Sequence, residues 1–252
     1  MKAAVSKTQI ESEITSRFAA AFKPSDKPPL AVMSTGISQV DYLIGGLPRG
    51  AITEIFGSAS SGRTSFMLAT LAYATKHEEI CVLIDTNDSF DPVSAAQAEM
   101  NLEKLLWVRC AANMEHAFKA ADLILQGGGF GLVVLDLGDV PPQEARRIIS
   151  SWWYRFRRVV ENTPTAFVVI AQDSCVRSCA SLALQLKREA DVWSSANVIA
   201  PINSNRLSLV TRQPSREKPT HSDLLSIIQL QISRQKPVHL GVGEIQFRAS
   251  AN

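Results

Sequence analysis

Gly57-Ser58-Ala59-Ser60-Ser61-Gly62-Arg63-Thr64-Ser65 follows an apolar run, Ala51 to Phe56, and precedes a helical pattern that starts at Arg63. Glycines in such a stretch let the backbone enter left-handed conformations. Successive N–H groups then turn inward at a polyphosphate seated on the positive end of the following helix. The pattern is that of a phosphate-binding loop, G-x-x-x-x-G-K-[ST], with Arg63 where lysine belongs. Gly57, Ser60, Ser61, Gly62, Arg63, Thr64 and Ser65 are therefore the expected nucleotide-binding residues. Arginine keeps the positive charge, but its longer planar fork cannot occupy the point between the β- and γ-phosphates that a compact ammonium fills. The exchange is compatible with binding and unfavourable to hydrolysis. Thr64 retains the hydroxyl that holds Mg²⁺ in such loops.

Outward from the loop, short apolar runs alternate with helical patterns. Phe66, Met67, Leu68, Leu71 and Tyr73 predict a helix to about Lys76, and Ile80 to Ile84 predicts a strand ending at Asp85. Leu105 to Val108, Leu132 to Leu135 and Ala166 to Ile170 read as strands; Met114 to Gln126 and Pro142 to about Glu161 read as helices. Five such strands argue for an α/β fold with a mostly parallel central sheet flanked by helices, and ligand belongs at the strands' C-terminal ends. Beyond Asp191 the runs Val192 to Ile199 and Arg206 to Val210, joined by Asn203-Ser204-Asn205, predict antiparallel strands near the C-terminus. A polar tract, Gln213 to Ser222, precedes a mixed final segment.

Upstream, Ile10, Ile14, Phe18, Ala21 and Phe22 recur at helical spacing before a proline-rich break, Lys23 to Pro29. This predicts an appended helix whose apolar stripe folds back or serves self-association. The organisation expected is an N-terminal helix and linker (1–30), a nucleotide-binding core (31–212) and a C-terminal extension completing the domain (213–252).

A chain of 252 residues with 46% hydrophobic content can bury one sizeable core, and a net charge of +2 neither demands nor excludes nucleic acid. No apolar run reaches the roughly 18 to 20 residues of a membrane helix, and the first residues lack a signal-peptide core, so the expected location is cytoplasmic. Cys81, Cys110, Cys175 and Cys179 suit reduced, buried thiols, and no second ligand pair accompanies Cys175 and Cys179 to make a zinc site.

Asp136 closes the run Leu132 to Leu135, where a carboxylate at the tip of a buried strand orients magnesium or its water. Hydrolysis also needs a group to orient or deprotonate water, normally a glutamate or glutamine. After Ile84 stand Asp85, Asn87, Asp88 and Asp91 but no glutamate. Asn87 bonds water without accepting its proton, and Asp85 and Asp88 are explained equally well by a solvated turn. Gln172 follows the strand Phe167 to Ala171 and is placed either to touch a γ-phosphate or to cap the strand.

Ser34-Thr-Gly, Gly45-Gly-Leu-Pro-Arg-Gly50, Ile52-Thr-Glu-Ile-Phe-Gly57, the loop, and Ile84-Asp85 to Asp91-Pro92 resemble the ATP-binding core of bacterial RecA recombinases, over about Val32 to Val210. The resemblance implies a RecA-like P-loop NTPase fold, with ATP or ADP phosphates at Gly62 to Ser65 and Mg²⁺ near Thr64 and Asp136. It places adenine near Asp91 and a nucleotide-to-DNA relay at Gln172. Arg63 replaces the family's lysine, Asn87 falls on its catalytic glutamate, and Ser94 replaces its adenine-stacking tyrosine. The first DNA-binding loop has no match, the second shrinks to about Asp173 to Ser181, and Arg212 is the nearest counterpart of the cations that reach a neighbour's nucleotide. This combination is closest to the RecA-related mutasome proteins of the ImuA type. Those implied roles are DNA repair, the SOS response and translesion synthesis, alongside DNA and a Y-family polymerase-like partner.

Between Glu144 and Val160, five arginines stand among four aromatics. Ile148, Ile149, Trp152, Phe156, Val159 and Val160 share one helical face and would pack on the sheet, leaving Arg155 and Arg158 outward as candidates for nucleic-acid phosphates. Arg177, Lys187 and Arg188 are further candidates. Beside the weakened nucleotide-binding accessory stand two alternatives, a DNA-dependent ATPase using Asp88 or Asp85, and a nucleotide-free interaction protein.

Overall fold

The computed structural model describes residues 30–195, 223–237 and 243–250. Helix α1 (Ser38–Ile44) stands between β1 (Val32–Met33) and β2 (Leu47–Pro48), which pair antiparallel. Strand and helix then alternate through β3 (Ala51–Phe56), α2 (Arg63–Lys76), β4 (Cys81–Asp85), α3 (Pro92–Gln97), β5 (Leu105–Arg109), α4 (Met114–Gly127), β6 (Leu132–Leu137), α5 (Pro142–Ala145), α6 (Ser150–Val160) and β7 (Ala166–Ala171). Three longer strands follow, β8 (Ala180–Ser195), β9 (Asp223–Lys236) and β10 (Gly243–Ser250).

Eight strands form one sheet in the order β10-β9-β8-β3-β7-β6-β4-β5. From β8 to β5 every pairing is parallel, while β9 and β10 join antiparallel, as the α/β reading expects. The central strands are mostly apolar because helices cover both faces. Period-two geometry then sorts their side chains. Leu83, Val134, Val168 and Ile55 face α2, where Phe66, Met67 and Leu71 meet them. Ile84, Val133, Phe167 and Ile52 face α4 and α6, and pack on Phe118, Trp153 and Phe156. With β3 central, the loop after it and the C-terminal tips of β6 and β7 open on one edge of the sheet.

Two expectations need correction. The helix expected from Pro142 to Glu161 is broken, because Arg147 and Ile148 bond three residues back instead of four and Ile149 is extended. Helix α6 restarts at Ser150 in a new phase, so its buried stripe is Trp153, Phe156 and Val160, and Ile149 is 68% exposed. The segment expected as a loop to Ser181 yields to β8 at Ala180, where Leu182, Leu184 and Leu186 are buried between more exposed Ser181, Gln185 and Lys187. The N-terminal helix, the Asn203-Ser204-Asn205 hairpin, the run Arg206 to Val210, Arg212 and the tract Gln213 to Ser222 lie outside the described residues. Among the described residues, no helix is long and apolar enough to cross a membrane.

Candidate nucleotide-binding site

Helix α2 begins at Arg63, and its cap is Gly62 at φ 88°, with Ser60 also left-handed at φ 61°. No side chain caps the helix, so its first amides face the loop. The chain must pass very close to the long strands here. A Cβ on Gly57 would stand 2.3 Å from the Leu186 carbonyl oxygen, and one on Gly62 2.5 Å from the Leu230 side chain. β8 and β9 thus form the floor of the loop. Ser61 is fully buried and its hydroxyl has no partner; Thr64 and Ser65 are exposed on the first turn of α2.

Arg63 is 8% exposed. Its Nη1 donates to the Gly138 carbonyl oxygen at 3.1 Å, while the Gly138 N–H donates to Asp136 Oδ1 at 2.7 Å. Gly138 makes the room for this: a Cβ there would lie 2.8 Å from Asp136 Oδ1 and 3.2 Å from Arg63 Nη1. Burial draws the Arg63 pKa below its ordinary value against the pull of Asp136 and Asp139, yet the guanidinium stays a cation. Burial pushes the Asp136 carboxyl up to about 6; the Gly138 amide and Arg63 oppose this, and Asp85 and Asp139 add to it.

These residues do not fit Mg²⁺ as the loop pattern implies. Asp136 already gives one oxygen to the Gly138 amide, and a divalent ion placed there would meet the field of the buried Arg63 guanidinium, which couples to the same carboxylate.

Gln172 does come to the loop. A cleft of about 510 Å³ is lined by Gly57, Ser58 and Ala59 together with Gln172, Lys187 and Arg188. The other candidates lie elsewhere. Asn87 is exposed in the turn after β4. Asp91 caps α3, accepting from the amides of Val93 and Ser94 and from the Ser94 hydroxyl, which holds its carboxyl below the usual range. Arg155 holds Asp122 through two bonds of 2.6 and 2.5 Å, so the expectation that it points free to solvent is corrected. Arg158 is exposed on α6, and Arg177 lies in a short 3-10 turn, its carbonyl accepting from Lys236.

Asp85 is no solvated turn residue. It is buried and accepts from the amides of Ser89 (3.0 Å) and Phe90 (2.9 Å) and from Trp107 Nε1 (3.1 Å), so it shapes the turn that carries Asn87. Asp88 pairs with Arg109 at 3.1 Å.

Sequence reasoning passed over Glu54. It sits in β3, 1% exposed, and accepts from Ser174 Oγ (2.8 Å) and from the amides of Cys175 (2.5 Å) and Val176 (2.7 Å). The strand that leads into the phosphate-binding loop thereby holds the segment that follows Gln172. Its signal was a lone carboxylate inside an apolar strand run, which has to be paired.

The RecA N-terminal domain family matches residues 2–145, more than half of the chain and inclusive of the loop and Asp136. The chain belongs to the RecA family. Protein RecA of Deinococcus radiodurans is 33% identical over 162 residues, which is 58% of this chain and 44% of that protein. The chain thus spans less than half the length of the curated relative it matches. Arg63, Asp136 and Gly138 lie within the RecA family match, and Gln172, Lys187 and Arg188 lie beyond it.

Proposed function

We propose that this RecA-family chain is a nucleotide-binding accessory of DNA repair and damage tolerance that holds ATP or ADP at Gly57 to Ser65 and turns it over poorly. The observation that carries the reading is the loop itself: a left-handed Gly62 at the head of α2, no side chain capping that helix, and an unpartnered buried Ser61 hydroxyl beside a buried arginine. Anionic oxygens satisfy donors of this kind.

Weak turnover follows from the neighbours. Asn87 cannot take a proton from water, and both Asp85 oxygens are engaged by Ser89, Phe90 and Trp107. A bound nucleotide would supply the charge to which Gln172 responds from across the same cleft. Glu54, by gripping residues 174–176, ties that segment to β3 and so to the loop that follows it. Lys187 and Arg188, on the cleft wall, supply positive charge for a DNA backbone or an acidic face of a partner. A retained scaffold with altered hydrolytic residues supports an accessory role in the SOS response and translesion synthesis, exerted through DNA and a Y-family polymerase-like partner.

Calorimetric or thermal-shift titration with ATP and ADP tests the first part. Ligand at 100 times its Kd should stabilise the chain by about 2.7 kcal/mol. Absence of any shift would leave an interaction protein with a vestigial loop. Affinity purification after DNA damage tests the second part: a polymerase-like protein should be recovered, and its consistent absence would sink the translesion role.

A further inference from the structure

We infer that the loop takes the polyphosphate of a nucleoside di- or triphosphate without a divalent cation, Arg63 standing in for the metal as well as for the lysine. This rests on the nucleotide reading above and adds to it the ionic form of the ligand. Three observations carry it. First, a cation already stands near Asp136: the Arg63 guanidinium is anchored at 3.1 Å on the carbonyl oxygen of Gly138, the residue whose N–H donates to Asp136 Oδ1. A divalent ion placed on Asp136 would face a fixed like charge, and the guanidinium cannot shed its proton to relieve it.

Second, room for the guanidinium is built into the backbone. Gly138 has no side chain where any Cβ would crowd both Asp136 Oδ1 (2.8 Å) and Arg63 Nη1 (3.2 Å). Asp136, accepting from the Gly138 amide, fixes the residue whose carbonyl oxygen holds Arg63. Third, two groups at the loop are unmet, an N–H that can only donate and a hydroxyl that is able to. Arg63 Nε and Ser61 Oγ are buried without partners, and a residue 8% exposed rarely leaves an N–H unpaired. A phosphate oxygen satisfies an N–H; a metal ion does not. Charge-assisted bonds from a guanidinium to phosphate also come without the octahedral water shell that magnesium retains.

Fluorescently labelled ADP titrated into the full chain, once with excess magnesium and once with EDTA, tests this. The two Kd values should agree within about threefold, a difference under about 0.7 kcal/mol. Binding in magnesium that weakens tenfold or more in EDTA overturns the inference and leaves the nucleotide reading standing. No binding in either buffer overturns both. Competition with unlabelled pyrophosphate and with adenosine separates the sources of affinity: pyrophosphate should compete in EDTA, and competition by adenosine alone would overturn the inference. In Arg63→Lys, checked for folding by circular dichroism, magnesium dependence of about tenfold should appear, because a compact ammonium vacates the ground beside Asp136. Unchanged metal independence in that variant would overturn Arg63 as the stand-in. Gly138→Ala is a second variant: it should weaken binding in EDTA by crowding Arg63, and unaltered binding counts against the geometry.

Discussion

Glu54 shows how one side chain can join two distant stretches of chain. Glu54→Ala removes the acceptor of two buried backbone amides and one hydroxyl, and each unmet buried donor costs about 1–3 kcal/mol. Counting the two buried amides, urea unfolding should therefore register a loss of about 2–6 kcal/mol, and Glu54→Gln, which keeps the shape and one acceptor oxygen, should lose clearly less. The cysteines make a second test. All four are free and buried; burial pushes the Cys81 thiol up to about 12 and the Cys175 thiol upward as well. The thiolate is the reactive form, so a chromogenic disulfide at pH 8 should titrate these thiols slowly in the native protein and quickly in denaturant. Since the folded thiols hold their protons above the ordinary value of 9.0, the folded state binds more protons than the unfolded one from there upward. Stability must fall as pH rises from about 9 toward 12, and Cys81→Ala should flatten that fall.

At the scale of elements, α6 carries the clearest wager. Trp153 is 2% exposed and touches Phe118 and Phe156 edge-on, so Trp153→Ala should cost about 3–5 kcal/mol. Ile149, ahead of the helix and outward, should accept serine with a change within about 0.5 kcal/mol. Equal losses at both sites would restore the continuous helix that periodicity suggests. The Arg155–Asp122 pair joins α6 to α4 with the arginine 54% exposed, so solvent screening limits Arg155→Ala to about 1 kcal/mol. The starts and ends of β3, α2, β4 and β6 were legible within a residue or two, since apolar runs buried on both faces admit few other readings. The break before α6 was not, because it depends on hydrogen bonds that tighten by one residue after α5, with no glycine to announce it.

For the whole molecule, the cleft joining Gly57 to Ala59 with Gln172, Lys187 and Arg188 is where the proposed DNA contact would be made by charge. If both cations contact single-stranded phosphates, replacing them together should lower the slope of log affinity against log salt by about 1.4; an unchanged slope would remove these two from the interface. The loop's motif, the strand–helix alternation and the absence of a glutamate at position 87 were determined by the order of residues alone, because each depends on neighbours within one turn or one strand. Tertiary structure alone decided that Leu186 and Leu230 form the floor beneath Gly57 and Gly62, that Glu54 grips residues 174–176, and that Arg63 turns to Gly138 beside Asp136. Such contacts join residues 75 to 168 positions apart, and their geometry is set by how the strands order themselves across the sheet, which no local spacing records.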